Sequence, residues 1–176
     1  LSDLGVINRI KNYVRNDHII KDFPDKIKYN FKINRLSEKY IKNKHTYREE
    51  LTRLGLMGKY SYEKFLPKEY LNGSTEQRLE LLRGLLDTDG DVCRLGTISY
   101  STSSKQLALD VAELVRSLGG IGKISERIPY YTHNGIRKAG RLAYRVTIRM
   151  KNPSSCLTRV YRRKERLKEV NQYSKN

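Results

Sequence analysis

The chain is poor in cysteine, with only Cys93 and Cys156 among 176 residues. Their spacing matches no metal site. Two thiols in a chain of this length fit a reducing compartment, where both stay free as ordinary small core residues. Histidine is equally scarce: His18, His45 and His133 are scattered and read as surface residues rather than ligands. No apolar run approaches the roughly 20 residues needed to cross a bilayer, so membrane insertion is not expected. No signal-peptide pattern opens the chain at Leu1. The expectation is an intracellular protein, in the cytoplasm or with the nucleoid or nucleus, and a fragment or processed piece of a longer one. The most telling shortage is of acid. Nineteen Asp and Glu face 36 Lys and Arg, a formal net charge of +17. That balance calls for an anionic partner, and nucleic acid comes first among them.

Few as they are, three of the acids hold a conspicuous place. An apolar helical run from Leu79 to Leu86 stops in Asp87-Thr88-Asp89-Gly90-Asp91. A carboxylate at a helix end beside a turn is a ready ligand for a hard divalent cation. A calcium loop is rejected, because its sixth and twelfth positions need Gly and Glu and here hold Val92 and Ile98.

The chain reads as helix, strand, helix before Ser74. Residues 3–16 carry apolar side chains at helical spacing, Asp22-Phe23-Pro24-Asp25 is a turn, and 26–35 alternates as a half-exposed strand. Residues 36–54 are helical up to Gly55, and 59–70 is a connector. From Ser74 the order becomes helix, strand, strand, helix, strand, strand, helix. Ser74 and Gln77 form a capping box. Strands follow at about 91–95 and 97–102, then a helix capped by Ser104 and stopped at Gly119-Gly120. Two more strands, about 121–130 and 140–150, flank a turn tipped by Thr132-His133-Asn134-Gly135, and a last helix runs from Pro153 to about Val170.

Basic residues crowd the second half. Fourteen Lys or Arg lie between Lys123 and Lys168, against Glu126 and Glu165. Arg141, Arg145 and Arg149 recur at every fourth position, hence on one strand face, as do Lys123, Ser125 and Arg127. A two-stranded ribbon fits the DNA major groove, where Arg is the commonest reader of guanine. Lys123, Arg127, Arg137, Lys138, Arg141, Arg145 and Arg149 are the expected DNA contacts.

Leu82 to Gly90 reads L-R-G-L-L-D-T-D-G and resembles the signature nonapeptide of the LAGLIDADG homing endonucleases. Arg83, Leu86 and Thr88 depart from the family word but remain compatible with a helix. The flanks extend the likeness: Lys64-Phe65-Leu66-Pro67-Lys68-Glu69-Tyr70-Leu71 and Gln77-Arg78-Leu79 before it, Thr102-Ser103-Ser104-Lys105-Gln106-Leu107-Ala108 and Leu114-Val115-Arg116-Ser117-Leu118-Gly119-Gly120 after it. They resemble the endonuclease domain found inside inteins, well over about 50–168 and loosely over 1–49. The resemblance implies an α+β fold, the αββαββα LAGLIDADG unit with a saddle-shaped antiparallel sheet, preceded by a partial first unit. Residues 1–73 are then a partial first repeat and connector, 74–170 the LAGLIDADG repeat, and 171–176 a tail.

The function implied is site-specific cleavage of double-stranded DNA with Mg²⁺ or Mn²⁺. Asp89 takes the position of the catalytic, metal-binding carboxylate, with the Thr88 carbonyl as a further ligand. Asp87 bonds backbone at the helix end, and Gly84 is where a partner helix approaches. Lys151 matches a basic residue near the end of the fourth strand, with Arg149 second, and Thr102 holds a polar place near the site. The pattern lacks a second acidic motif, since Leu1-Ser2-Asp3-Leu4-Gly5 does not match and Asp17, Asp22 and Asp25 sit in the wrong context. The alternatives are a lost first repeat, a second copy, or a non-cleaving nucleic-acid binder such as an RNA maturase or DNA-binding regulator. Splicing is not expected: no nucleophile stands at Leu1, and Lys175 rather than His precedes Asn176.

Overall fold

The computed structural model describes residues 8, 10–14, 18–22, 31–35, 47–93 and 97–153. The chain divides into two compact units, Leu1–Met57 and Gly58–Asn176. In the first, a helical turn closes where the amides of Tyr13 and Val14 both donate to the Ile10 carbonyl at 2.9 Å. Strands β1 (His18–Asp22) and β2 (Phe31–Arg35) then pair antiparallel, Ile20 opposite Ile33. Helix α1 (Tyr47–Arg53) follows, with Arg53 bound to Glu50 at 2.6 Å. The order expected from the sequence lacks β1. Five residues with two adjacent isoleucines carry no alternation, and the segment becomes a strand only through its ladder to β2. The remainder of the expected helices over 3–16 and 36–54 lies outside the described residues.

The second unit begins with a short helix α2 (Lys68–Leu71) started by Pro67, then α3 (Thr75–Asp89). Both bonds of the capping box are present. The Gln77 amide donates to Ser74 Oγ at 3.2 Å and the Ser74 amide to Gln77 Oε1 at 2.9 Å. Next come β3 (Gly90–Val92), β4 (Ile98–Thr102), α4 (Lys105–Ser117), β5 (Ile121–Arg127), β6 (Tyr130–His133), β7 (Ile136–Ala139) and β8 (Ala143–Arg149). The main sheet is antiparallel in the order β3-β4-β8-β5. Together with α3 and α4 it makes a mixed helix and antiparallel-sheet fold. The core lies between the helices and one sheet face: Leu82 and Leu86 from α3, Val111, Leu114 and Val115 from α4, Ile98, Val146 and Ile148 from the strands. On β8 the residues alternate, with Tyr144, Val146 and Ile148 buried and Arg149 exposed, as a strand with one covered face must.

Two details differ from the sequence expectation. The strand expected to 130 stops at Arg127, and the one expected from 140 begins at Ala143, so Arg141 precedes β8 rather than belonging to it. Pro129 is the reason: it has no N–H for the ladder, and its carbonyl instead accepts from the Gly140 amide at 2.7 Å. That bond closes the base of a separate hairpin, β6-β7, turning at Asn134 (φ 50°) and Gly135 (φ 76°). The Asn-Gly pair suits this left-handed two-residue turn. Of the last expected helix, only Pro153 falls among the described residues. Cys93 is half-buried, and Cys156 lies outside the described residues. Among the described residues no helix is long and apolar enough to cross a membrane.

Candidate active site

Helix α3 delivers its acidic end to the edge of the sheet with no linker. Gly90 is the first residue of β3, and its amide donates to the Leu86 carbonyl. A Cβ at Gly90 would stand 2.5 Å from that carbonyl oxygen and 2.7 Å from Leu86 Cα. Only glycine lets the strand leave so close to the helix. The position of Asp89 is therefore set by backbone packing on both sides.

The two motif carboxylates separate by burial. Asp87 is 8% exposed, among the buried polar groups, whereas Asp89 is open to solvent. Only an exposed carboxylate can reach a ligand without shedding its packing. The negative end of the helix dipole adds to the attraction for a cation there. Thr88 Oγ1 folds back along the helix, donating to the carbonyls of Leu85 (3.1 Å) and Gly84 (3.3 Å), so Thr88 offers its carbonyl rather than its hydroxyl. The hydroxyl of Tyr100 is pushed up to about 12, first by burial and then by the negative charge of Asp89. Asp89 thus acts electrostatically on the second strand as well.

Among the described residues no three His, Cys, Asp or Glu side chains come together. The donors on offer are all oxygen: one carboxylate and helix-end carbonyls. That set fits Mg²⁺, which keeps several waters and binds through one or two carboxylates plus substrate phosphates. It does not make a closed cage for a softer metal.

Gly84 is exposed on α3, away from Leu82 and Leu86, and a Cβ added there would meet nothing within 4 Å. Arg83 beside it is held by Glu80 at 2.5 Å.

The sheet face opposite the core, open at Lys123, Arg127 and Arg149 but with Ser99 buried, is organised in rows across the strands. Asp91, Ser99, Thr147 and Lys123 form one row, and Ser101, Arg145 and Ser125 the next. Arg149 opposite Ile121 and Arg127 opposite Ala143 flank them. Lys123, Arg127, Arg145 and Arg149 therefore do share a face. Arg145 Nε is buried with no hydrogen-bond partner among the described residues. The remaining basic candidates lie elsewhere. Arg137 and Lys138 are on the β6-β7 hairpin, with the Arg137 guanidinium 4.4 Å from the centre of the Tyr130 ring. Arg141 sits 3.8 Å over the Tyr62 ring.

Lys151 is not brought to Asp89. Asp89 enters the sheet beside the Gly90–Tyr100–Val146 row, and Lys151 lies past the other end of β8, about 17 Å further at 3.3 Å per residue. Thr102 ends β4, and its hydroxyl accepts from the Ser104 amide at 3.1 Å, in the turn into α4. Of the serines and threonine on the open face, Ser99, Ser101, Ser125 and Thr147, sequence reasoning does not single out all. Their parity on β4 and β8 is the available signal, but which residues share a row needs the register.

A helix that ends in an exposed carboxylate at the edge of a four-stranded antiparallel sheet, with a basic open face, defines the class. A family profile described as a LAGLIDADG-like domain matches residues 76–171, and the chain belongs to the LAGLIDADG family. It is also similar to the replicative DNA helicase DnaB of Mycobacterium intracellulare, 38% identical over 121 residues, which is 69% of this chain and 20% of the helicase. A DnaB from a Nostoc species is 40% identical over 75 residues, 39% of this chain and 8% of the helicase. A DnaB from a Synechocystis species is 36% identical over 104 residues, 56% of this chain and 11% of the helicase. The chain thus spans about a fifth or less of the length of these relatives.

Proposed function

We propose that this chain is a site-specific double-strand DNA endonuclease of the homing type, carried as an insert within a DnaB helicase as the endonuclease domains of inteins are. The short stretch of each helicase that it resembles supports the insert reading. The observation that carries the nuclease reading is the exposed Asp89, fixed by Gly90 at the edge of a basic sheet. On this reading the protein works inside the cell, on DNA.

Lys123, Arg127, Arg145 and Arg149 draw the duplex onto the open face by neutralising phosphates, and the guanidinium groups read base edges in the major groove. Asp89 and the Thr88 carbonyl would hold Mg²⁺, or Mn²⁺ in its place. When bound, the metal supplies Lewis-acid stabilisation of the charge that develops on the phosphodiester. Cutting both strands needs a second carboxylate, delivered by a partner helix that meets α3 at Gly84. A second copy of this chain or a first repeat provides it.

A non-cleaving DNA binder on the same scaffold is the second reading, favoured by the single acidic helix end among the described residues. Incubating the chain with a plasmid library in Mg²⁺ separates the two. The nuclease reading expects double-strand breaks at a narrow set of sequences, abolished by EDTA. Binding without breaks in either condition supports the second reading.

A further inference from the structure

We propose that Tyr60, Tyr62 and Arg141 form a platform on which an unpaired nucleobase of the bound DNA stacks. The rings of Tyr60 and Tyr62 lie parallel, 5.5 Å apart and inclined by 6°. The Arg141 guanidinium sits 3.8 Å over the centre of the Tyr62 ring. A group centred that close leaves no room for a second ring on the same face, so the order is Tyr60, Tyr62, Arg141. Tyr60 is 66% exposed, and its outer face is open to solvent.

The turn that presents Tyr60 is rigidly held. The Tyr60 amide donates to Glu63 Oε2 at 2.9 Å, and the Glu63 amide donates back to the Tyr60 carbonyl at 3.0 Å. Ser103 Oγ donates to Ser61 Oγ at 3.1 Å, and Ser104 Oγ to the Lys64 carbonyl at 2.5 Å. The buried Asp110 carboxylate accepts from the Leu66 amide at 2.8 Å. A fixed turn that holds a large aromatic ring in water has an open stacking surface and little ordering entropy left to lose.

Position and charge select the occupant. Ser103 follows β4, Arg141 precedes β8, and Thr102 pairs with Tyr144, so the stack lies at the Asp89 end of the sheet. Lys59 and Lys64 flank the turn and Arg141 completes the stack, while the neighbouring acid, Glu63, is engaged by the Tyr60 amide. Aromatic rings in a basic setting take bases of single-stranded nucleic acid, whose phosphates meet the cations and whose π-faces meet the rings. A base freed beside the cut, in a distorted or severed duplex, is the occupant this surface fits. The inference rests on the DNA-handling reading above.

The test compares the full chain on two duplexes of one sequence, one fully paired and one carrying a fluorescent adenine analogue in a short unpaired bubble. The unaltered chain is expected to prefer the bubble and quench the analogue. Tyr60→Leu should lose that preference by about tenfold and lose the quench, with paired-duplex affinity unchanged. Tyr60→Phe should retain both. Equal behaviour of Tyr60→Leu and the unaltered chain overturns the platform, and is the outcome expected if the rings instead seat a protein segment. Intact duplex binding with no response to the unpaired base overturns the platform alone. Absence of duplex binding by the unaltered chain overturns the functional reading and the platform with it.

Discussion

Asp87 and Asp89 are two residues apart on one helix, yet one is buried and the other open. The motif letters alone single out Asp89, by resemblance. Burial adds a physical reason, since an exposed carboxylate takes a ligand without losing its packing. Gly90 is legible as part of the motif, but its cause is not, because that cause is the nearness of Leu86. Gly90→Ala should therefore cost about 1–3 kcal/mol or more through forced backbone movement, read as a lower urea midpoint. Tyr100 gives an independent handle on the charge of Asp89. Its folded value of about 12 lies above the ordinary 10.0, so the neutral phenol favours the fold. That stabilisation is fully present below pH 10 and is lost as pH rises through about 12. An ultraviolet titration should show Tyr100 ionising late, with a midpoint that falls in Asp89→Asn. Lys151 lies past the far end of β8 from the Asp89 row, and proximity in sequence to the end of β8 says nothing about which end of the sheet Asp89 occupies.

At the scale of elements, α3 and α4 are readable because apolar periodicity and capping residues mark them, and both caps are made as the sequence implies. Ser74→Ala should cost about 1 kcal/mol, measured by denaturant titration. The short β1 and the separate β6-β7 hairpin are not readable. Each is defined by its partner strand, and Pro129 decides where β5 ends, which alternation alone does not weigh. The outer face of α3 carries a prediction of opposite signs. Gly84 meets nothing within 4 Å, so Gly84→Ala should raise thermal stability by about 0.5–1 kcal/mol. Gly84→Ile should leave the fold intact but hold a partner helix away and abolish cutting. Circular dichroism and a cleavage assay together check both.

For the whole molecule, the net charge of +17 by itself points to an anionic partner. The structure gathers four of the expected basic residues on one sheet face and leaves the others in the hairpin or stacked on tyrosine. Alternation along β8 makes that face legible, while the rows across strands depend on the register. Duplex affinity should fall roughly a thousandfold or more between about 50 and 200 mM salt if six or more phosphates are neutralised. Lys123→Ala should reduce the salt slope by about 1.

The central claim is that Asp89 is half of a metal-dependent nuclease site, and the most direct measurement is Mg²⁺-dependent cleavage and duplex affinity of Asp89→Asn beside the unaltered chain. Cleavage should fall by at least about a hundredfold, with affinity unchanged or slightly higher. Undiminished cutting by Asp89→Asn would contradict the account.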